Sequence, residues 1–247
     1  MPLKANELVR RIRLHQVDPE HRDALGIVPS PDTETLGQFA ASGKAAFDLR
    51  LGRWLLSLRQ SRATILDVSE PGARVVPDVA RRYLQLCESG LEGYDDIGKL
   101  KQALHIESAS FLATRPQQLS RYQFVPFGDR FILHPGQFIL GITFEWLRLP
   151  TNLAGFVTGK SSWGRRGLII ETAAGIHPGF CGCLTLEIGN VGPVPIPLIP
   201  GMEICQVFFE VASGEPDKAE SQFIGRRRPI LGDIEFDPTL EKLSRPV

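Results

Sequence analysis

The sequence predicts a mainly β fold with a short N-terminal helix and a helical insertion, and two observations carry that prediction. From Tyr122 onward, short apolar runs recur, separated by His134-Pro135-Gly136, His177-Pro178-Gly179 and Pro200-Gly201. Proline and glycine turns about every ten residues suit a barrel or sandwich and not a βαβ sheet. A helical period shows only near the N-terminus and within residues 58–120. At 247 residues the chain is read as a single domain, 1–247.

Residues 5–15 place Leu8, Ile12 and His15 at helical spacing between arginines, with Asn6 as a candidate cap. Pro29, Pro31 and their polar neighbours mark a loop, and Ala45 to Gly52 alternates as a strand closed by glycine. Within 58–120, Asp78–Cys87 and Asp95–Leu104 each begin with aspartate and repeat apolar residues every three or four positions, which predicts two helices. That stretch is too short for a core of its own, so it reads as an insertion. Strands are expected near 131–133, 138–147, 155–158, 168–171, 183–188, 194–198 and 204–211. Residues 219–247, polar and carrying Arg226-Arg227-Arg228, are expected to form a mobile C-terminal arm or lid.

Composition narrows the function classes. A hydrophobic fraction of 43% supports a buried core, and 28 basic residues balance 28 acidic ones. No global field recruits nucleic acid or an anionic membrane, so phosphate binding has to be local. Four cysteines fit a reducing compartment better than a disulfide scaffold. No apolar run approaches the roughly 20 residues of a membrane span, and the N-terminus lacks the apolar core of a signal peptide. The expected location is cytoplasmic.

The chemistry concentrates between Gly159 and Phe209. Gly155 to Ser161 imitates a P-loop but is one residue short between its glycines, and Ser162-Trp163-Gly164 is a poor helix start for holding phosphates. Lys160, Ser161, Ser162, Arg165 and Arg166 instead form either an anion-binding nest or a surface hairpin with solvated arginines. In Cys183–Ile188, period two puts Leu184, Leu186 and Ile188 on one face and Cys183, Thr185 and Glu187 on the other. Glu187 therefore either lines a cavity, where desolvation suits a carboxylate to acid–base work, or is a solvated glutamate; the period does not separate these. The Cys181-x-Cys183 spacing fits no standard zinc site, and the H-x-E with P-C-x-x-C pattern of zinc-dependent nucleobase deaminases is absent. No metal is expected.

The ordered series Lys160-Ser161-Ser162, Arg165, Gly167-Leu168, Thr172-Ala173, Ile176, Pro178-Gly179-Phe180, Gly182, Leu184-Thr185-Leu186-Glu187 and Asn190 resembles the dCTP deaminase family and, more distantly, trimeric dUTPases. Ala46 to Gly52, Leu133 to Gly141 with Glu145, and Pro200-Gly201-Met202 with Ile204 and Gln206 extend the resemblance across most of 46–210. It implies a β-clip fold, a distorted β-barrel, in a homotrimer whose sites are shared between subunits. It also implies hydrolysis of dCTP to dUTP and ammonia without a cofactor, Mg2+ at most accompanying the triphosphate. By position, Glu187 is the catalytic glutamate, and Ser161 and Arg165 hold water and polarise the site, Arg165 gripping Glu187 or phosphate. Lys160, Ser162 and Gln206 fall among the substrate-binding positions, Lys160 where arginine is usual. Thr172 and Ala173 receive the cytosine amino group, and Phe180 lies beneath the deoxyribose.

Three departures stand out. His177, a substrate-binding position by the resemblance, replaces the usual aspartate beside the sugar: either it binds the 3′-hydroxyl or the substrate differs, and the change argues against a dUTPase-like or bifunctional dUMP-forming hydrolase. The loop before Thr172 is about one residue short, which brings Glu171 near the site. The tail only loosely resembles the family's phosphate lid. A non-catalytic nucleotide-binding regulator on the same fold is the third reading; retention of Ser161, Arg165 and Glu187 argues against it.

Overall fold

The computed structural model describes residues 1–58, 63–67, 74–77, 120–171, 175–214 and 222–232. The chain divides into two compact units, Met1–Ser57 with Tyr122–Ile230, and Leu58–Arg121 with Leu231–Val247. In the second, strands β4 (Ala63–Asp67) and β5 (Arg74–Pro77) form an antiparallel hairpin. The helices expected at 78–87 and 95–104 lie outside the described residues.

The first unit holds the candidate site. Its helix α1 (Ala5–Val17) buries Ala5, Leu8, Val9 and Ile12. The cap is Lys4, not Asn6, and it makes no side-chain hydrogen bond; the orphan amide of Ala5 donates instead to the Lys44 carbonyl at 2.8 Å. Strand β1 (Gly26–Val28) and helix α2 (Thr33–Ala41) replace the loop expected from the prolines. Asp32 caps α2 by accepting from the Thr35 amide at 2.7 Å, and Leu36 anchors it in the core.

The remaining strands of this unit are β2 (Ala46–Arg50), β3 (Trp54–Leu58), β6 (Ser120–Phe124), β7 (Phe131–Leu133), β8 (Phe138–Arg148), β9 (Leu153–Gly159), β10 (Leu168–Glu171), β11 (Gly175–Ile176), β12 (Cys181–Asn190), β13 (Ile196–Leu198) and β14 (Glu203–Val211). One sheet runs β10-β12-β8-β3-β6 with β1 also on β8, a second runs β11-β9-β14-β2, and β13 pairs β7. The mainly β expectation holds. The barrel expectation is met by open sheets: among the described strands no ladder closes on itself. Leu49, Leu186, Ile188, Ile204, Val207 and Phe209 are fully buried in the common core. No helix of the described residues is long and apolar enough to cross a membrane.

Residues 222–230 correct the expectation of a free basic arm. The Gly225 amide donates to the Cys181 carbonyl at 2.7 Å, and the Cys183 amide donates to the Arg226 carbonyl at 3.0 Å, which straps this segment to the start of β12. Arg227 stacks on Trp146 at 4.9 Å and Arg228 on Trp54 at 4.0 Å, so two of the three charges rest on aromatic faces.

Candidate functional site

Strand β12 is the axis of the site. It lies between β10 and β8, and Glu187 faces Glu171 on one side and Leu140 on the other. A bulge between Cys183 and Thr185 is repaired by the buried hydroxyl of Thr143, which accepts from the Leu184 amide at 2.9 Å and donates to the Glu145 carbonyl at 2.8 Å. Beyond the bulge, Leu186 and Ile188 point into the core while Thr185 and Glu187 are half-buried. The face predicted for Glu187 is therefore the face observed. Cys183 is buried, and desolvation pushes its thiol up to about 11; the same cause raises Cys205 to about 12. Neither supplies a thiolate near neutral pH.

The serine loop is set by the second sheet. Strand β9 ends at Gly159, Lys160 caps the single-turn helix α3 (Ser161–Gly164), and Ser161, Ser162 and Arg165 are exposed. The Trp163 indole donates to the Glu203 carbonyl at 2.9 Å, and the Lys160 amide reaches the Ile204 carbonyl at 3.3 Å, which pins α3 to β14. At its exit Gly167 adopts φ +88°, and a Cβ there would lie 2.4 Å from Gly192 Cα. Only glycine permits this crossing, and the Val191 amide locks it by donating to the Gly167 carbonyl at 2.9 Å.

Lys160 is not a free cation. Its Nζ lies 2.5 Å from Glu203 Oε2 and 3.1 Å from Asp48 Oδ1. Burial by itself lowers the lysine pKa, but the hydrogen bonds to Glu203 and Asp48 outweigh it and the net shift is upward. Sequence reasoning missed these two carboxylates because they converge only through the register of β14 on β2, which sets Glu203 opposite Arg50 and Gln206 opposite Asp48. Clefts of about 430, 520 and 360 Å3 meet around this trio: the first runs along Phe47 and Arg50, the second holds Ser162 and Arg166, and the third Lys44 and Gln206.

The structure thus groups Lys160, Ser162 and Gln206 and keeps Ser161 next to them. It sets Glu187 apart. Leu168 pairs with Asn190 and Glu171 with Glu187, three residues along the ladder, which separates the two ends by about 10 Å. Arg165 lies beyond the Leu168 end. Among the described residues the side chains of Arg165, Glu171 and Glu187 have no hydrogen-bond or ion-pair partner in the chain. His177 is exposed in the turn after β11, and Phe180 is 8% exposed, packed in the core. Thr172 and Ala173 lie outside the described residues. No group of three His, Cys, Asp or Glu side chains converges among the described residues.

Residues 98–212 match the family profile described as dCTP deaminase-like. The chain is 40% identical over 128 residues to a "dCTP deaminase, dUMP-forming" of Dictyoglomus thermophilum, covering 49% of this chain and 66% of that one. Over this region the chain is similar to dCTP deaminases. A relative of the same name in Mycobacterium tuberculosis is 48% identical over 109 residues, covering 41% of this chain and 57% of the relative. The matched part thus spans less than two thirds of these relatives' own length. Similar solved structures are a 2'-deoxycytidine 5'-triphosphate deaminase from Agrobacterium tumefaciens and a dUTPase of EIAV. The first has a TM-score of 0.46 at 18% identity, covering 83% of this chain and 47% of that one. The second has a TM-score of 0.32 at 24% identity, covering 41% and 82%.

Proposed function

We propose that this chain hydrolyses the 4-amino group of dCTP, releasing ammonia, as a homotrimer in which two subunits complete each site. The observation that carries the reading is Glu187: half-buried beside the β12 bulge on the face away from the core, without a cationic partner among the described residues, in a chain whose residues 98–212 match the dCTP deaminase-like profile. In the proposed reaction Glu187 takes a proton from water and passes it to ring N3 as the water oxygen bonds to C4. Glu187 then moves the proton of the new C4 hydroxyl to the amino nitrogen, the C4–N4 bond breaks to release ammonia, and C4 becomes a carbonyl. One group serving as base and then acid is the role proposed for this strand carboxylate. Ser161 and Arg165 of a neighbouring subunit position the water and offset the charge that develops on it. Arg165 is suited to this because it is exposed and has no side-chain partner among the described residues. With Lys160 engaged by two carboxylates, Mg2+ would arrive on the phosphate oxygens; it has no role in the deamination step itself.

A second reading is favoured by the relatives, whose names specify dUMP formation. On it the chain also cleaves the triphosphate and releases pyrophosphate. His177 stands where the resemblance calls for a carboxylate beside the sugar, which favours dUTP as the product here. Incubating purified protein with dCTP, with and without Mg2+, and following ammonia, pyrophosphate and the nucleotide by mass spectrometry decides among these. Ammonia with dUTP supports the first reading and ammonia with dUMP and pyrophosphate the second. Bound dCTP without ammonia would refute both and leave the non-catalytic regulator.

A further inference from the structure

We infer that Asp48 and Glu203 set the affinity of the serine loop for phosphate, by holding Lys160 as an intramolecular stand-in for the anion. This rests on reading that loop as the triphosphate end of the proposed site. One ammonium serves two carboxylates, at 3.1 Å and 2.5 Å, so the position beside Ser161 and Ser162 carries one positive against two negative charges. An incoming phosphate therefore meets a lysine already engaged by two carboxylates until one of them lets go. Glu203 is the one built to yield. Its side chain is 58% exposed while that of Asp48 is 25% exposed, and exposed pairs are held weakly. The clefts on either side of Lys160 supply further hydrogen-bond donors, Arg166 in one and Lys44 with Gln206 in the other, so the released ammonium joins a donor set already in place.

The test measures binding of inorganic tripolyphosphate to the full chain by calorimetry, in wild type, Glu203→Gln, Asp48→Asn, Lys160→Met and the Glu203→Gln/Lys160→Met double variant. Glu203→Gln is expected to tighten tripolyphosphate binding by about three- to fivefold, the scale of one partly exposed ion pair. Lys160→Met is expected to remove that gain in the double variant. Glu203→Gln that binds no tighter, or a gain that persists without Lys160, overturns the inference, because simple loss of negative charge would then explain the result. Asp48→Asn, on a different strand, repeats the comparison should Glu203→Gln fold poorly. Ammonia release from dCTP is followed separately. A chain that shows the Lys160-dependent gain but releases no ammonia keeps this inference and loses the proposed reaction.

Discussion

If Glu187 of one subunit works with Arg165 of another, two inactive variants must restore each other. Within one chain the β10–β12 register keeps the two ends of the ladder about 10 Å apart, and Arg165 sits beyond the far end. Glu187→Gln and Arg165→Ala are each expected to lower turnover of dCTP by about 10²- to 10⁴-fold, the range for loss of an acid–base or charge-stabilising group. In trimers assembled from equal amounts of the two, a site is intact when its Glu187 comes from an Arg165→Ala subunit and its Arg165 from a Glu187→Gln subunit. Random assembly makes each condition true half the time, so about a quarter of sites recover, far above either parent. Co-expression with two affinity tags, native mass spectrometry to verify mixed trimers, and ammonia release supply the assay. Mixed trimers at the background of the single variants would refute a shared site.

Other consequences follow from the same geometry. Replacing Glu171 by Thr removes a like charge directly opposite Glu187 and is expected to raise stability by about 0.5 kcal/mol, more at low salt than at high, as read from urea midpoints. Asn190 is 1% exposed, donates at 2.9 Å to the carbonyls of Leu133 and Val194 and accepts from the Gly192 amide at 2.9 Å. Asn190→Ala strands the sealed Leu133 carbonyl and loosens the turn after β12, and should cost about 3 kcal/mol in denaturant titration. Glu7, hydrogen-bonded first by Arg10 and then by Arg11, is held down to about 2 from 4.5. Its contribution is thus present above about pH 4.5 and is lost as pH falls toward 2. Glu7→Gln should be less stable than wild type at pH 7, with the gap closing near pH 2.

Much of this was legible in the residues, and the exceptions have physical causes. The period-two alternation of β12 assigned Glu187 its face correctly because Leu186 and Ile188 must be buried; only the bulge at Cys183/Thr185 was hidden, since the Thr143 hydroxyl that repairs it comes from another strand. Helix α2 was hidden behind Pro29 and Pro31, although the signal was present: Asp32 before Thr33-Glu34-Thr35 is an N-cap pattern, and Leu36 and Phe39 share one face. The basic run 226–228 read as a solvated arm because sequence shows charge and not what the charge rests on; Trp54 and Trp146 lie far away in the chain. Lys160 was assigned to substrate from its place in the motif, while its two carboxylate partners depend on the β2–β14 register, which no local pattern encodes.

That last case bears on how the loop and the strand divide the work. Two glycines, Gly167 and Gly192, cross backbone to backbone where the serine loop meets the end of β12, and Trp163 with Lys160 fixes the loop to β14. The loop is therefore held by its backbone and by residues directed back into its own chain, which leaves Ser161, Ser162 and Arg165 exposed, with no side-chain partner among the described residues. Glu187, on a strand paired on both sides, is the opposite case: a carboxylate with a carboxylate for its cross-strand neighbour and no cationic partner among the described residues. Like charges kept together at a cost to stability call for a positive partner from elsewhere. In the proposed assembly that partner is the outward Arg165 of the next subunit, which places the reacting ring where the two unfinished halves meet.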